Sequence, residues 1–240
     1  MALNPTIRLQ KYLADCGITS RRKAELLISE GSISVDGKII TEMGYKVDPQ
    51  LQEVRYKGEL VERTKEHIYI LLNKPRGYVT TMSDPQGRPI VTSLLKDLDV
   101  RVFPVGRLDI DTEGALILTD DGELTHKILH PSHESTKTYE VVVKGLVSQG
   151  KIRKLEQGIE IDGRKTWPAK ISKARKQGQA TRLVITIHEG RKRQVRKMFE
   201  AIGHPVINLK RIAYGQLRLG SLKSGTYRFL TPEDMKKVLL

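Results

Sequence analysis

The chain has 240 residues, 38% hydrophobic and 29% charged, and its 42 Lys and Arg against 28 Asp and Glu leave a net charge of +14. That length suits one large domain or a small one joined to a larger one, and the apolar content argues against intrinsic disorder. A single cysteine, Cys16, excludes an intrachain disulfide and a cysteine-rich zinc site, no apolar run approaches the roughly 18 residues of a membrane span, and the first residues lack the apolar core of a secretion signal. The expectation is a reduced, cytoplasmic protein with no membrane association.

The charge is unevenly placed. Residues 1–62 hold nine basic and nine acidic side chains, residues 63–136 nine and eleven, and residues 137–240 twenty-four and eight. Charge needed only for solubility has no reason to gather in the last third, so that third is read as a surface facing a polyanion, with nucleic acid the first partner to consider.

In chain order, Ile7, Leu9, Tyr12 and Leu13 predict a short amphipathic helix stopping at Gly17. Thr19 or Ser20 caps a second, carrying Ala24, Leu27 and Ile28 and ending at Gly31. The stretch SISVDGKII follows, with Asp36-Gly37 supplying the residues of a tight hairpin turn. The second helix opens on Arg21, Arg22 and Lys23, three cations at the positive end of the backbone dipole. A bound phosphate would relieve that conflict; three solvated side chains are the plainer reading, and both stand. The polar stretch LVERTKEH, residues 60–67, marks a boundary, giving domains of 1–62 and 66–240.

The remainder holds strand candidates IYILLN, ALILT, YEVVVKG, AKISKA and RLVITIHEG, and a helix from near Arg191 to Gly203 with Pro205 as a stop signal. Without regular alternation of strand and helix, this predicts an α+β fold with a mixed, largely antiparallel sheet.

Three clusters carry chemistry: NKPRGYVTT (73–81), GRLDIDTEGALILTDDGE (106–123) and EGRKRQVRKMFEAIG (189–203). In the second, Arg107, Asp109 and Asp111 lie together ahead of a strand. An ionised carboxylate there serves as nucleophile, general base or metal ligand. Asp109, Asp111 and Glu113 form an oxygen-rich D-x-D-x-E that would suit Mg²⁺ and phosphoryl chemistry, although Asp111 and Thr112 read better as residues that turn the chain. In the third cluster Val195, Met198, Phe199 and Ile202 form a buried stripe; Lys192 and Arg196 fall at its margin, and Arg193 and Lys197 point more toward solvent. Arg196 therefore reaches inward, or else snorkels along the core edge. Tyr139 shares a strand face with Val141 and Val143, as a partly buried core residue or a platform for a base.

Taken in order and spacing, these motifs resemble a ribosomal RNA pseudouridine synthase of the RsuA type, over nearly the whole chain. Residues 8–40 are similar to the alpha-L RNA-binding module, and LLNKPRGYVTT, GRLDIDTEGALILTDDGE, KTYEVVVKG and EGRKRQVRKMFEAIG resemble the motifs of the catalytic domain. The resemblance implies that Asp109 is the catalytic residue, Tyr139 packs against the target uracil, Arg196 pairs with the aspartate, and Arg107 fills the space left by the flipped nucleotide. It implies RNA contacts by Arg8, Lys11, Arg21, Arg22, Lys23, Lys192, Arg193 and Lys197, and no cofactor or metal. RQVR is similar to the RluB-like, large-subunit branch, which implies 23S RNA or its assembly intermediate as substrate of a monomeric enzyme. A non-catalytic RNA-binding assembly factor and a metal-dependent phosphohydrolase are the competing readings.

Overall fold

Leu9, Leu13, Ala24 and Ile28 recur at helical spacing because each must face one core, and in the computed structural model all four are buried. The structure describes residues 6–63, 66–98, 100–130 and 135–238, so Thr64 and Lys65 of the expected boundary lie outside the described residues. Two units separate, Met1–His67 and Ile68–Leu240.

The first unit contains β1 (Ile7–Arg8), α1 (Leu9–Asp15), α2 (Arg21–Ser29), β2 (Ile33–Val35), β3 (Lys38–Ile39), β4 (Lys46–Val47), β5 (Val54–Tyr56) and β6 (Glu59–Leu60). Ser20 caps α2 by accepting from the Lys23 amide. Asp36 and Gly37 both take positive φ, 50° and 78°, as the tight turn between β2 and β3 requires. Ile7 and Arg8 do not extend the first helix as expected: they pair with Val47 and Lys46, and helix begins only at Leu9.

The second unit contains β7 (Tyr69–Lys74), β8 (Phe103–Pro104), β9 (Glu113–Thr119), α3 (Gly122–Leu129), β10 (Lys137–Lys144), α4 (Gln149–Glu156), β11 (Glu160–Ile161), β12 (Arg164–Lys165), β13 (Lys170–Gln177), β14 (Ala180–Ile187), α5 (Gln194–Ala201), β15 (Val206–Tyr214), β16 (Leu217–Arg218), β17 (Tyr227–Phe229) and α6 (Pro232–Val238). Its main sheet has the order β13-β14-β10-β15-β9-β7-β17, with β8 beside β9 and β16 beside β15. Only β15 and β9 run parallel, through Lys210↔Glu113 and Arg211↔Gly114; the other pairs are antiparallel. The α+β class and mixed sheet are as the sequence indicates.

Alternation along β7 and β9 sorts the core. Ile70, Leu72, Leu116 and Leu118 pack on one face, joined there by Leu108, Tyr139 and Tyr227. Leu71, Ala115, Ile117 and Tyr214 pack on the other with Leu219, Leu222 and Leu230. On the Tyr139 face, Val141, Val143, Leu183 and Ile185 receive Val195, Met198 and Phe199 of α5.

Candidate active site

The strand β7 is apolar up to Leu72 and then places Lys74 where no solvent reaches it. Its ammonium donates to the carbonyls of Pro75 (3.0 Å), Asp109 (3.1 Å) and Thr112 (2.8 Å). Two more bonds from the same segment grip the same loop: the Gly77 amide donates to the Ile110 carbonyl at 2.8 Å, and the Thr80 hydroxyl donates to the Leu108 carbonyl at 2.7 Å. Thr112 turns back onto Asp109 with an amide-to-carbonyl bond of 3.0 Å. The first motif is thus the brace for the second. Burial pushes the Lys74 pKa down to about 8, opposed by the negative charges of Asp111 and Asp109.

That brace presents two half-exposed carboxylates to the start of α5. Asp109 lies 3.4 Å from Arg193, Arg193 also lies 3.5 Å from Asp111, and Arg196 meets Asp111 at 3.0 Å. This corrects two expectations. Arg196, largely buried, forms its ion pair with Asp111 rather than with Asp109; it also donates to the Asp111 carbonyl at 3.2 Å. Its pKa is lowered chiefly by burial, with Asp111 acting against that fall and Asp109 contributing in the same sense from further off. Arg193 is exposed, as the helical wheel indicates, yet its guanidinium also reaches both carboxylates. It sits at φ 55°, ψ 30°, so α5 begins only at Gln194, and the left-handed residue turns its side chain toward the carboxylates instead of continuing the helical wheel. Asp111, expected to serve the turn alone, is the shared partner of both arginines.

Tyr139 is half-buried on β10, in the core of the same face. Its hydroxyl accepts from Arg211 at 3.4 Å, and the Arg211 guanidinium lies 5.9 Å from its ring centroid and 4.3 Å from that of Tyr214. Arg211 is 3% exposed, donates from Nε to the Ala115 carbonyl at 2.8 Å, and has no carboxylate partner among the described residues. Neither Lys74 nor Arg211 was singled out from the sequence. The signal for Lys74 was a lysine closing an otherwise apolar strand; β15 itself went unnoticed, and with it the burial of Arg211.

Of the other expected residues, Arg107 is exposed and makes no hydrogen bond or ion pair among the described residues, which leaves it free beside Asp109 in sequence. Lys192 is exposed, while Lys197 pairs with Asp162. In the first unit Arg8, Arg21, Arg22 and Lys23 are exposed and Lys11 pairs with Asp15. Asp109, Asp111 and Glu113 do not converge: among the described residues no group of three or more His, Cys, Asp or Glu is placed to hold a metal ion. No described helix is long and apolar enough to cross a membrane.

Residues 68–201 match the family model for RNA pseudouridylate synthase, and residues 7–52 match that for the S4 domain. A ribosomal large subunit pseudouridine synthase B of Bacillus subtilis is 48% identical over 233 residues, covering 96% of this chain and 95% of that one. An RNA pseudouridine synthase of Aquifex aeolicus is 43% identical, covering 97% and 93%. Among solved structures, a pseudouridylate synthase superposes with a TM-score of 0.68 at 31% identity, over 97% of this chain and 99% of that one.

Proposed function

This chain belongs to the RNA pseudouridylate synthase family, and from that premise we propose that it converts uridine to pseudouridine in large-subunit ribosomal RNA, with Asp109 as the catalytic residue. The observation that carries the residue assignment is the brace: the buried Lys74 ammonium, the Gly77 amide and the Thr80 hydroxyl, all from one segment, fix the Asp109 loop, while the Asp109 side chain stays open to a ligand.

The reaction breaks the bond between N1 of uracil and C1′ of ribose, turns the base, and joins C5 to C1′; the C5 proton is released and N1 gains one, so the product is an isomer. Breaking the glycosidic bond leaves C1′ electron-poor and the base electron-rich. The Asp109 carboxylate supplies the negative charge or the nucleophile. The base must leave the helical stack to reach it, and Tyr139 offers an aromatic face on which it rests while detached. Arg193 and Arg196 hold the acidic pair in position. Arg107, unpaired and next to Asp109 but one, is placed to occupy the gap left in the RNA. The S4 unit, with its exposed Arg21, Arg22 and Lys23, adds affinity. Large-subunit RNA as the substrate rests on the Bacillus subtilis relative. A monomer acting in the cytoplasm completes the reading; sedimentation of the pure protein checks the monomer.

The test is pseudouridine formation on 23S transcripts by the wild type and by Asp109→Asn, which keeps volume and removes charge. The expected result is loss of activity with RNA affinity within about twofold. Turnover by the variant removes Asp109 from the role.

A further inference from the structure

A second basic feature lies on the opposite face of the sheet from Tyr139. Strand alternation fixes this: Tyr227 pairs with Leu72 and packs on the Tyr139 face, whereas Arg228 pairs with Leu71, whose side chain belongs to the other core. There a hollow of about 480 Å³ is lined by Arg218, Ser221, Lys223, Thr226 and Arg228, with no carboxylate in its lining. Arg228 is held in place by Asp234, 2.6 Å away. Arg218 and Lys223 are exposed and have no hydrogen bond or ion pair among the described residues.

The hollow is rigidly tied to the catalytic loop. Asn73 donates from its side chain to the Leu222 carbonyl (2.7 Å) and from its amide to the Thr226 carbonyl (3.0 Å), and its own carbonyl accepts from Gly225 (2.8 Å). The next residue is Lys74, whose ammonium holds the Asp109 carbonyl. A pair of exposed, unmatched cations with a neighbouring hydroxyl and a salt-bridged arginine is chemistry for a phosphodiester.

Resting on the reading of this chain as an RNA-modifying enzyme, we propose that this hollow binds a backbone phosphate of the substrate's flanking strand, which runs from the Tyr139 face around the sheet's outer strand β17. The site makes recognition depend on nucleotides beyond those the catalytic cleft encloses. It also ties that recognition to the strand end that fixes Asp109.

The experiment compares wild type with Arg218→Gln/Lys223→Gln, both exposed positions whose loss leaves no buried partner. Substrates are a ribosomal RNA transcript that the wild type modifies and nested versions trimmed toward the target uridine. The expected result is an affinity for the long transcript about tenfold weaker near 0.15 M salt, with a log-log salt slope flatter by about 1.4 to 1.8 for two lost contacts. On the shortest active RNA, KM and kcat stay within about twofold of wild type. Lys170→Gln/Lys173→Gln, at the exposed far edge strand β13, removes the same net charge and is expected to leave the long-transcript affinity within about twofold. An equal loss on long and short RNA, an equal loss in the β13 pair, or no loss at all overturns the proposal. Direct binding of the same transcripts tests the hollow even if no pseudouridine forms, a result that would sink the proposed function instead.

Discussion

Replacing Lys74 by methionine keeps the bulk of a fully buried side chain and deletes its ammonium. Two of the three hydrogen bonds it makes hold the Asp109 and Thr112 carbonyls. At about 1.5–3 kcal/mol for a bond to a charged group, the loop loses about 3–6 kcal/mol of restraint. Removing the ammonium also removes the cost of burying it: the displacement of its pKa from 10.5 to about 8 is worth about 3 kcal/mol. The two effects oppose each other in global stability at neutral pH, while the loss of restraint falls on the catalytic loop. A misplacement of about 1 Å lowers rate on the order of a hundredfold, so kcat is expected to drop about that much with KM little changed. Linkage gives a second readout. The folded-state pKa lies below the unfolded one, so between about pH 8 and 10.5 the unfolded chain binds the extra proton, and wild-type stability rises with pH across that window. The methionine variant lacks that rise. Single-turnover kinetics on a ribosomal transcript and urea unfolding from pH 7 to 10 measure both. A kcat within threefold of wild type, or an unchanged pH slope of stability, refutes the account of Lys74 as the brace.

Arg211→Lys replaces a planar guanidinium that bonds Ala115 and Tyr139 at once with an ammonium that cannot stack between two tyrosine rings; kcat is expected to fall about tenfold, and much less in a Tyr139→Phe background, measured as a double-mutant cycle. Gly114→Ala places a Cβ 2.2 Å from the Arg211 carbonyl oxygen at a φ of +107°, so unfolding is expected about 4 kcal/mol easier, read as a fall of roughly 10 °C in Tm.

The helical unit at the start was legible because its signals are local: Ser20 ahead of α2 and Asp36-Gly37 between β2 and β3 act within a few residues of where they stand. Five strands were legible from their β-branched runs. What escaped was set by distant partners. The strand β15, VINLKRIAY, carries Lys210 and Arg211 in its middle, and only its place between β10 and β9 makes it a central strand. The carboxylate partners of Arg193 were missed because a helical wheel assumes helix, and that residue is left-handed. Asp109 was legible as a reactive group, but its arginine was not, since two arginines three residues apart both lie within reach of the acidic pair.

The pairing of β17 with β7 joins Tyr227 to Leu72 across more than half the chain. During synthesis, β7 emerges long before the strand that completes its edge, and at about 5–20 residues per second that gap lasts on the order of ten seconds or more. Until then the outer edge of β7 lacks a neighbour, and Asn73 lacks the loop that fixes its amide and carbonyl. The reacting loop rests on the residue after Asn73. A ribosome making this protein therefore carries a nascent chain whose sheet is still open beside that loop, and the active arrangement closes only when the last strand arrives.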